Sequence, residues 1–232
     1  MLVKPMKTMT LTIALLLLAL ARPAQADFVQ TFTNGFQNGG VISDGNLTGW
    51  TDVRTLSDAP RGPITNVSVT LNLSGGWNGD LYAYLEHDSG FSVLLNRVGR
   101  GTDNGAGYGD AGMNVVLNDA ASVNLHSYGG GGVPTGSYAP DGRNISPLSS
   151  TATFSLTSPS AMLGSFNGGN ANGNWTLFIA DVSPGDQSTL TSWGLDIGVV
   201  PEPASMVLFL GGVVGLYISA KASRLSRGPA KP

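Results

Sequence analysis

The chain is 232 residues long and carries 12 Lys and Arg against 15 Asp and Glu, a net charge of −3, and it contains no cysteine. Between residues 27 and 200 the balance is far more acidic: five arginines stand against fourteen carboxylates, a charge of −9. That sets aside nucleic acid and anionic lipid as partners of this stretch; the missing cysteines exclude a disulfide framework, and the length suits one domain with its own core.

The N-terminus reads as an export signal. Lys4 and Lys7 precede an apolar run from Leu11 to Leu20, and Ala24-Gln25-Ala26 supplies small residues for a signal peptidase. The apolar run falls short of the ~20 residues a spanning helix needs, so residues 1–26 are expected to be a signal peptide cut after Ala26. An uncleaved anchor or a buried helix is the alternative.

Residues 27–200 read as all-β. Apolar Val67, Val69, Leu71 and Leu73 alternate with Asn66, Ser68, Thr70 and Asn72, the pattern of a strand with one buried face. Asn78-Gly79-Asp80 turns the chain into Leu81–Leu85, and Asp88-Ser89-Gly90 turns it again into Phe91–Leu95, so 81–85 and 91–95 are expected to form a hairpin. Glycine-rich segments at 101–112 and 129–142 read as long surface loops, with a low-complexity linker as the alternative for 129–136. Ala152, Phe154 and Leu156 alternate, predicting another strand. Two final strands, forming a last hairpin, are expected where Trp175, Leu177 and Ile179, and then Trp193, Leu195 and Ile197, share faces, with a turn at Ser183-Pro184-Gly185-Asp186. Short strands separated by turns, with no sustained 3.6-residue period, point to an antiparallel sandwich or barrel.

The C-terminus carries Pro201-Glu202-Pro203, an uncharged run over 204–220, and then Lys221, Arg224, Arg227 and Lys231. Seventeen residues is close to the shortest stretch that crosses a bilayer as a helix, about 17–25. The basic cluster beyond it would stay cytoplasmic, leaving 27–200 outside. The triplet, apolar helix and basic end together resemble the PEP-CTERM sorting signal of exported Gram-negative proteins. The resemblance implies processing by an exosortase near the triplet, and a protein of the cell envelope, outer surface or extracellular polysaccharide matrix, anchored transiently in the inner membrane. An ordinary anchor beginning with Pro-Glu-Pro is the alternative.

Candidate chemistry is sparse. Only His87 and His126 are present, too few for a histidine-rich zinc site. His87, Asp88 and Ser89 are adjacent on one turn and cannot take up triad geometry; His87 is expected to be an exposed turn residue. Calcium, which takes six to eight oxygens, suits the acidic loops better, with Asp80, Asp103, Asp110, Asp181 and Asp186 as candidate ligands; turn capping by these side chains is the alternative. Trp175 and Trp193 read as core; Trp50 and Trp77 sit near turns, and Tyr82 and Tyr84 offer rings for stacking on sugars. Five Asn-x-Ser/Thr sequons, at Asn46, Asn66, Asn72, Asn144 and Asn174, read as chance products of polar turns.

Several blocks resemble the P domain (P/Homo B), the β-sandwich that follows the catalytic domain of subtilisin-like proprotein convertases. They are Ile64–Val69 leading to Gly79-Asp80-Leu81, Leu85–Phe91, Thr135–Gly142, and above all Phe166-Asn167-Gly168 with Gly173-Asn174-Trp175-Thr176-Leu177, Asp181, Gly185-Asp186 and Ser192-Trp193-Gly194-Leu195. The family's His-Thr pair before the first turn is here Gly75-Gly76. The resemblance covers about residues 50–198 and implies a jelly-roll-like antiparallel sandwich without catalytic residues. It also implies acidic residues at Asp80 and Asp181, since some P domains hold structural calcium. The expected organisation is a signal peptide over 1–26, the exported sandwich over 27–200 and the sorting segment over 201–232. The expected function is binding or adhesion without catalysis; an accessory domain for a separately encoded secreted subtilisin-like serine protease is the alternative.

Overall fold

The computed structural model describes residues 25–200, together with Gly212. The signal segment up to Ala24, the Pro201-Glu202-Pro203 triplet and the apolar run over 204–220 lie outside the described residues, Gly212 excepted. No helix among the described residues is long and apolar enough to cross a membrane.

Residues 25–200 form one compact unit of nine strands in two layers. The strands are β1 (Ala26–Phe32), β2 (Asn46–Leu56), β3 (Ile64–Gly75), β4 (Leu81–His87), β5 (Gly90–Asn96), β6 (Met113–Leu117), β7 (Thr135–Tyr138), β8 (Gly173–Asp181) and β9 (Ser188–Val199). One sheet has the order β1-β9-β3-β6-β7, the other β2-β8-β4-β5. An α-helix, α1 (Thr151–Leu156), and a 3-10 turn over Leu163–Phe166 lie in the long connection between β7 and β8.

The alternation seen in the sequence places the core. Val67, Val69, Leu71 and Leu73 of β3 and Trp193, Leu195 and Ile197 of β9 point inward from one layer, while Leu81, Ala83 and Leu85 of β4 and Trp175, Leu177 and Ile179 of β8 meet them from the other. Burying a large side chain here stabilises the fold by about 1.5–3 kcal/mol. The indoles of Trp175 and Trp193 have acceptors: Trp175 Nε1 donates to Ala171 O at 2.9 Å, and Trp193 Nε1 to Asp52 Oδ2 at 2.7 Å. The second bond ties the two sheets together. Asp52 also holds Arg54 at 2.7 Å, whose guanidinium covers Phe32 and Phe36 at 4.8 and 5.5 Å.

The hairpin at 81–95 is present as β4–β5, paired antiparallel. Other expectations need correction. Residues 152–156 are helical rather than extended: Ser150 Oγ accepts from Thr153 N at 3.2 Å and caps the turn. Three alternating apolar positions are too few to distinguish the periods, and here Phe154 is buried while Leu156 is 85% exposed. The last two strands do not form a hairpin, because β8 pairs with β2 and β4 whereas β9 pairs with β1 and β3; residues 182–187 arch between layers. Two strands with inward apolar faces satisfy the sequence pattern equally well from opposite sheets.

Residues 135–138, expected within a loop, form β7, which pairs parallel to β6, so the sandwich is not wholly antiparallel. Trp50 belongs to β2 and to the core at 5% exposure, with Nε1 donating to Gln37 O at 2.7 Å.

Candidate functional site

Two polar regions interrupt the apolar interior. The first is an acidic corner where β8 ends and the arch begins. Asp181 is fully buried; its Oδ1 accepts from Ser183 N at 3.2 Å, while Oδ2 has no partner. Burial pushes its carboxyl up to about 6, with the nearby Asp80 and Asp44 charges adding to the effect and the bond from Ser183 opposing it. Asp80 precedes β4 and is also raised, first by burial and in smaller part by Asp186, against the lowering influence of Ser183 and Arg97. Arg97 supplies the positive charge. It is 7% exposed and donates through Nη2 to Asp80 Oδ1 and Ser183 Oγ, each at 3.0 Å, and through Nε to Gly79 O at 2.9 Å. Its backbone sits at φ 49°, a left-handed conformation uncommon for a long side chain. Asp44 accepts from Gly185 N with both oxygens at 3.0 Å and holds the arch.

Asp80 is close enough to Asp181 and to Asp186 for their charges to act on one another, whereas the other two candidate ligands lie elsewhere. Asp110 Oδ2 accepts from Tyr128 OH at 2.7 Å and Gly131 N at 3.0 Å, joining the two glycine-rich segments. Asp103 lines a different cavity. Among the described residues no three His, Cys, Asp or Glu side chains converge. The orphaned Asp181 Oδ2 fits a cation, whereas the guanidinium of Arg97 already neutralises Asp80.

The second region is a cavity of about 310 Å³ between the 99–104 loop and α1. Its wall is a buried charge relay. Asp141 is fully buried; Oδ2 takes His126 Nδ1 at 2.6 Å and Asn96 N at 3.2 Å, and Oδ1 takes Arg143 Nη1 at 3.2 Å and Arg143 N at 3.3 Å. His126 Nε2 faces Arg100 O at 3.0 Å, and the ring stacks on Phe154 at 6.1 Å. A histidine with both nitrogens committed to acceptors, one of them a backbone carbonyl, is not placed to take a proton from a nucleophile. Sequence reasoning passed over Arg100, Arg143, His126 and Phe154 as site residues. The available signal was that two of the five arginines in 27–200 flank the glycine-rich segments.

His87 was expected on an exposed turn, but it is 6% exposed at the end of β4, stacked on Trp175 at 4.3 Å. Burial lowers its pKa. Nδ1 lies 2.8 Å from Ser89 Oγ and accepts from Ser89 N at 3.2 Å, and Nε2 faces Asn172 O at 3.4 Å. Gly173 lets the ring approach: a Cβ there would stand 2.9 Å from Nε2. The pair has no carboxylate orienting the ring, and its fit against Trp175 is that of a core residue.

The proprotein convertase P-domain family matches residues 143–197, the part of the chain that includes α1, β8 and the core of β9. The module matched is a non-catalytic one. No curated protein matches the sequence. Among solved structures, a serine protease of Aeromonas sobria in complex with its chaperone is similar at a TM-score of 0.45 and 17% identity, over 82% of this chain and 30% of that one. The serine protease of Aeromonas sobria gives 0.42 and 17%, over 81% and 30%. The chain therefore spans under a third of the length of either protease-structure chain it matches.

Proposed function

We propose that this chain is a non-catalytic exported protein whose β-sandwich serves binding or adhesion at the cell surface or in an extracellular polysaccharide matrix, and which is sorted by an exosortase-type system. The observation that carries this reading is where the sandwich stops. β9 ends at Val199, Val200 N donates to Pro63 O at 3.1 Å, and Pro201-Glu202-Pro203 follows at once. Prolines at 201 and 203 have no N–H to offer a ladder, and the triplet directly follows the last described residues of the sandwich. At the other end, Ala26 occupies the first position of β1, opposite Val199; cleavage after it keeps Asp27–Phe32 in the sheet.

The test is fractionation of the native host. Replacing Pro201–Pro203 with alanines is expected to leave the protein in the inner membrane; unchanged release would contradict exosortase sorting. Structural calcium is proposed at the acidic corner, where Asp181 Oδ2 is the carboxylate oxygen without a partner. Ligand binding to the native state must raise stability, so no change in Tm at millimolar calcium would remove that part.

A second reading is favoured by the P-domain match over 143–197: an accessory domain that stabilises a separately encoded secreted serine protease. Co-purification with such a protease, and a rise in its Tm on mixing, would support it over the first.

A further inference from the structure

The cavity beside His126 contains a positive group whose hydrogen bonding is incomplete. Of the five arginines in residues 27–200, Arg54, Arg97 and Arg143 are paired with Asp52, Asp80 and Asp141. Arg61 is exposed on the surface. Arg100 is neither: it lines the cavity, contacts no carboxylate among the described residues, and donates through Nη1 to Gly105 O. Its Nε is buried and has no acceptor. A buried donor left without a partner costs about 1–3 kcal/mol, and burial also lowers the pKa of Arg100. Nε itself is sealed from the cavity, but Nη2 makes no hydrogen bond among the described residues, so an oxygen anion entering the cavity would meet the guanidinium there and offset the cost of burying its charge.

The guanidinium is held ready for such a ligand. Its Cζ lies 5.6 Å from the centre of the Phe154 ring, and its backbone carbonyl is fixed by His126, which Asp141 and Arg143 fix in turn. A group positioned before binding loses little freedom when the ligand arrives. The remaining walls are of two kinds. Tyr108 and Phe154 present ring surface, whereas Thr102, Asn104, Ser127 and Ser155 present hydroxyl and amide groups. Thr102 Oγ1 and Ser155 Oγ are 3.3 Å apart. At about 310 Å³ the space is at the small end of ligand sites.

We propose that this cavity binds a carboxylate carried on a polyhydroxylated ring, a hexuronate within a glycan, with the carboxylate on Arg100, the ring hydroxyls on Thr102, Asn104 and Ser155, and the ring face against Tyr108. The proposal deepens the binding reading above and rests on it. Electrostatics narrow the glycan further. Asp103 stands at the rim and the domain as a whole carries −9, so a densely charged polyuronate is repelled beyond the cavity. A chain with isolated uronates among neutral sugars fits better.

The test is a titration of the sandwich, residues 25–200, which encloses its whole core, with methyl glucuronide, methyl glucoside and acetate, followed by backbone amide shifts. Saturable binding of methyl glucuronide in the millimolar range is expected, with the glucoside and acetate each weaker by about ten-fold or more, the loss from removing one charge-assisted contact. Arg100→Gln is expected to abolish the difference between glucuronide and glucoside, and Asp103→Asn to tighten glucuronide several-fold. Ser155→Ala, which leaves Arg100 in place, is expected to weaken binding and serves if Arg100→Gln does not fold. Equal affinity for glucuronide and glucoside, or binding indifferent to these substitutions, would overturn the assignment. Retention on a neutral polysaccharide that Arg100→Gln leaves unchanged would also overturn it while keeping the wider binding reading. Failure to bind any glycan, combined with stabilisation of a secreted serine protease, would overturn both.

Discussion

The acidic corner and the arginine-lined cavity use the same components and leave opposite ones unfinished. In the cavity wall Asp141 is buried and fully served, with His126, Arg143 and the amide of Asn96 on its oxygens, and it is an arginine, Arg100, that has no carboxylate and an Nε without an acceptor. In the corner Arg97 donates through Nε and Nη2 to Gly79, Asp80 and Ser183, and it is a carboxylate, Asp181, that has an oxygen without a partner. A buried charge with all its partners is architecture; one with a missing partner invites a ligand of opposite sign. By that criterion the two regions differ in what they would accept, an anion in one and a cation or a proton in the other.

The largest effect should come from removing the best-served group. Asp141→Ala strips His126 and Arg143 of their shared carboxylate and should cost about 3–5 kcal/mol in urea unfolding, the range for breaking a buried ion pair. A loss under 1 kcal/mol would erase the contrast with Asp181.

The corner should respond to pH instead. The folded carboxyl of Asp181 sits at about 6 against 3.8 in the unfolded chain, so the folded state holds the proton more tightly. Its contribution to stability is fully present below pH 3.8 and is lost as pH rises through 6, by no more than about 3 kcal/mol. His87 titrates with the opposite sign: its lowered pKa makes stability fall as the solution is acidified below about 6.5. The informative quantity is therefore the difference between wild type and Asp181→Asn across pH 4–7, expected to shrink towards neutrality as the wild type loses its advantage. Saturating calcium should remove that slope if the ion binds there; a flat difference without calcium would show Asp181 to be unperturbed.

The two arginines should separate next. Arg97→Met leaves Asp80 half-buried and unpaired and should cost roughly 2–4 kcal/mol, whereas Arg100→Gln should change Tm by little, because no ion pair is lost. Equal costs would mean that Arg100 is structural. The smallest effect is expected for His87→Phe, which keeps the stack on Trp175 and should soften the loss of stability on acidification.

What the sequence made legible was the part governed by period. Val67 to Leu73, Trp175 to Ile179 and Trp193 to Ile197 declared both strand type and inward face, whereas Leu81 to Leu85, with Tyr82 and Tyr84 on the opposite side, declared only a strand. It could not assign these strands to sheets, since β8 and β9 look like neighbours in the chain yet belong to opposite layers. β2 went unread because one of its inward positions is Asp52, a carboxylate buried only because Trp193 and Arg54 meet it there. The site was harder still. His126, Asp141 and Arg143 gather on one carboxylate from loops whose glycine-rich sequence signals only turns, and Arg100 becomes notable through a partner it lacks. Asp80 and Asp181 were chosen for their place in family motifs, and the structure does place them together; Asp103 and Asp110 were chosen for composition alone, and they lie apart.

The central claim is that this sandwich is an exported, sorted product, and the intact mass of the protein recovered from the medium or outer surface of its native host tests it most directly. A species beginning at Asp27 and ending near Pro201 is the predicted result. A chain that still begins at Met1, or that keeps residues 204–220 in every fraction, would contradict it.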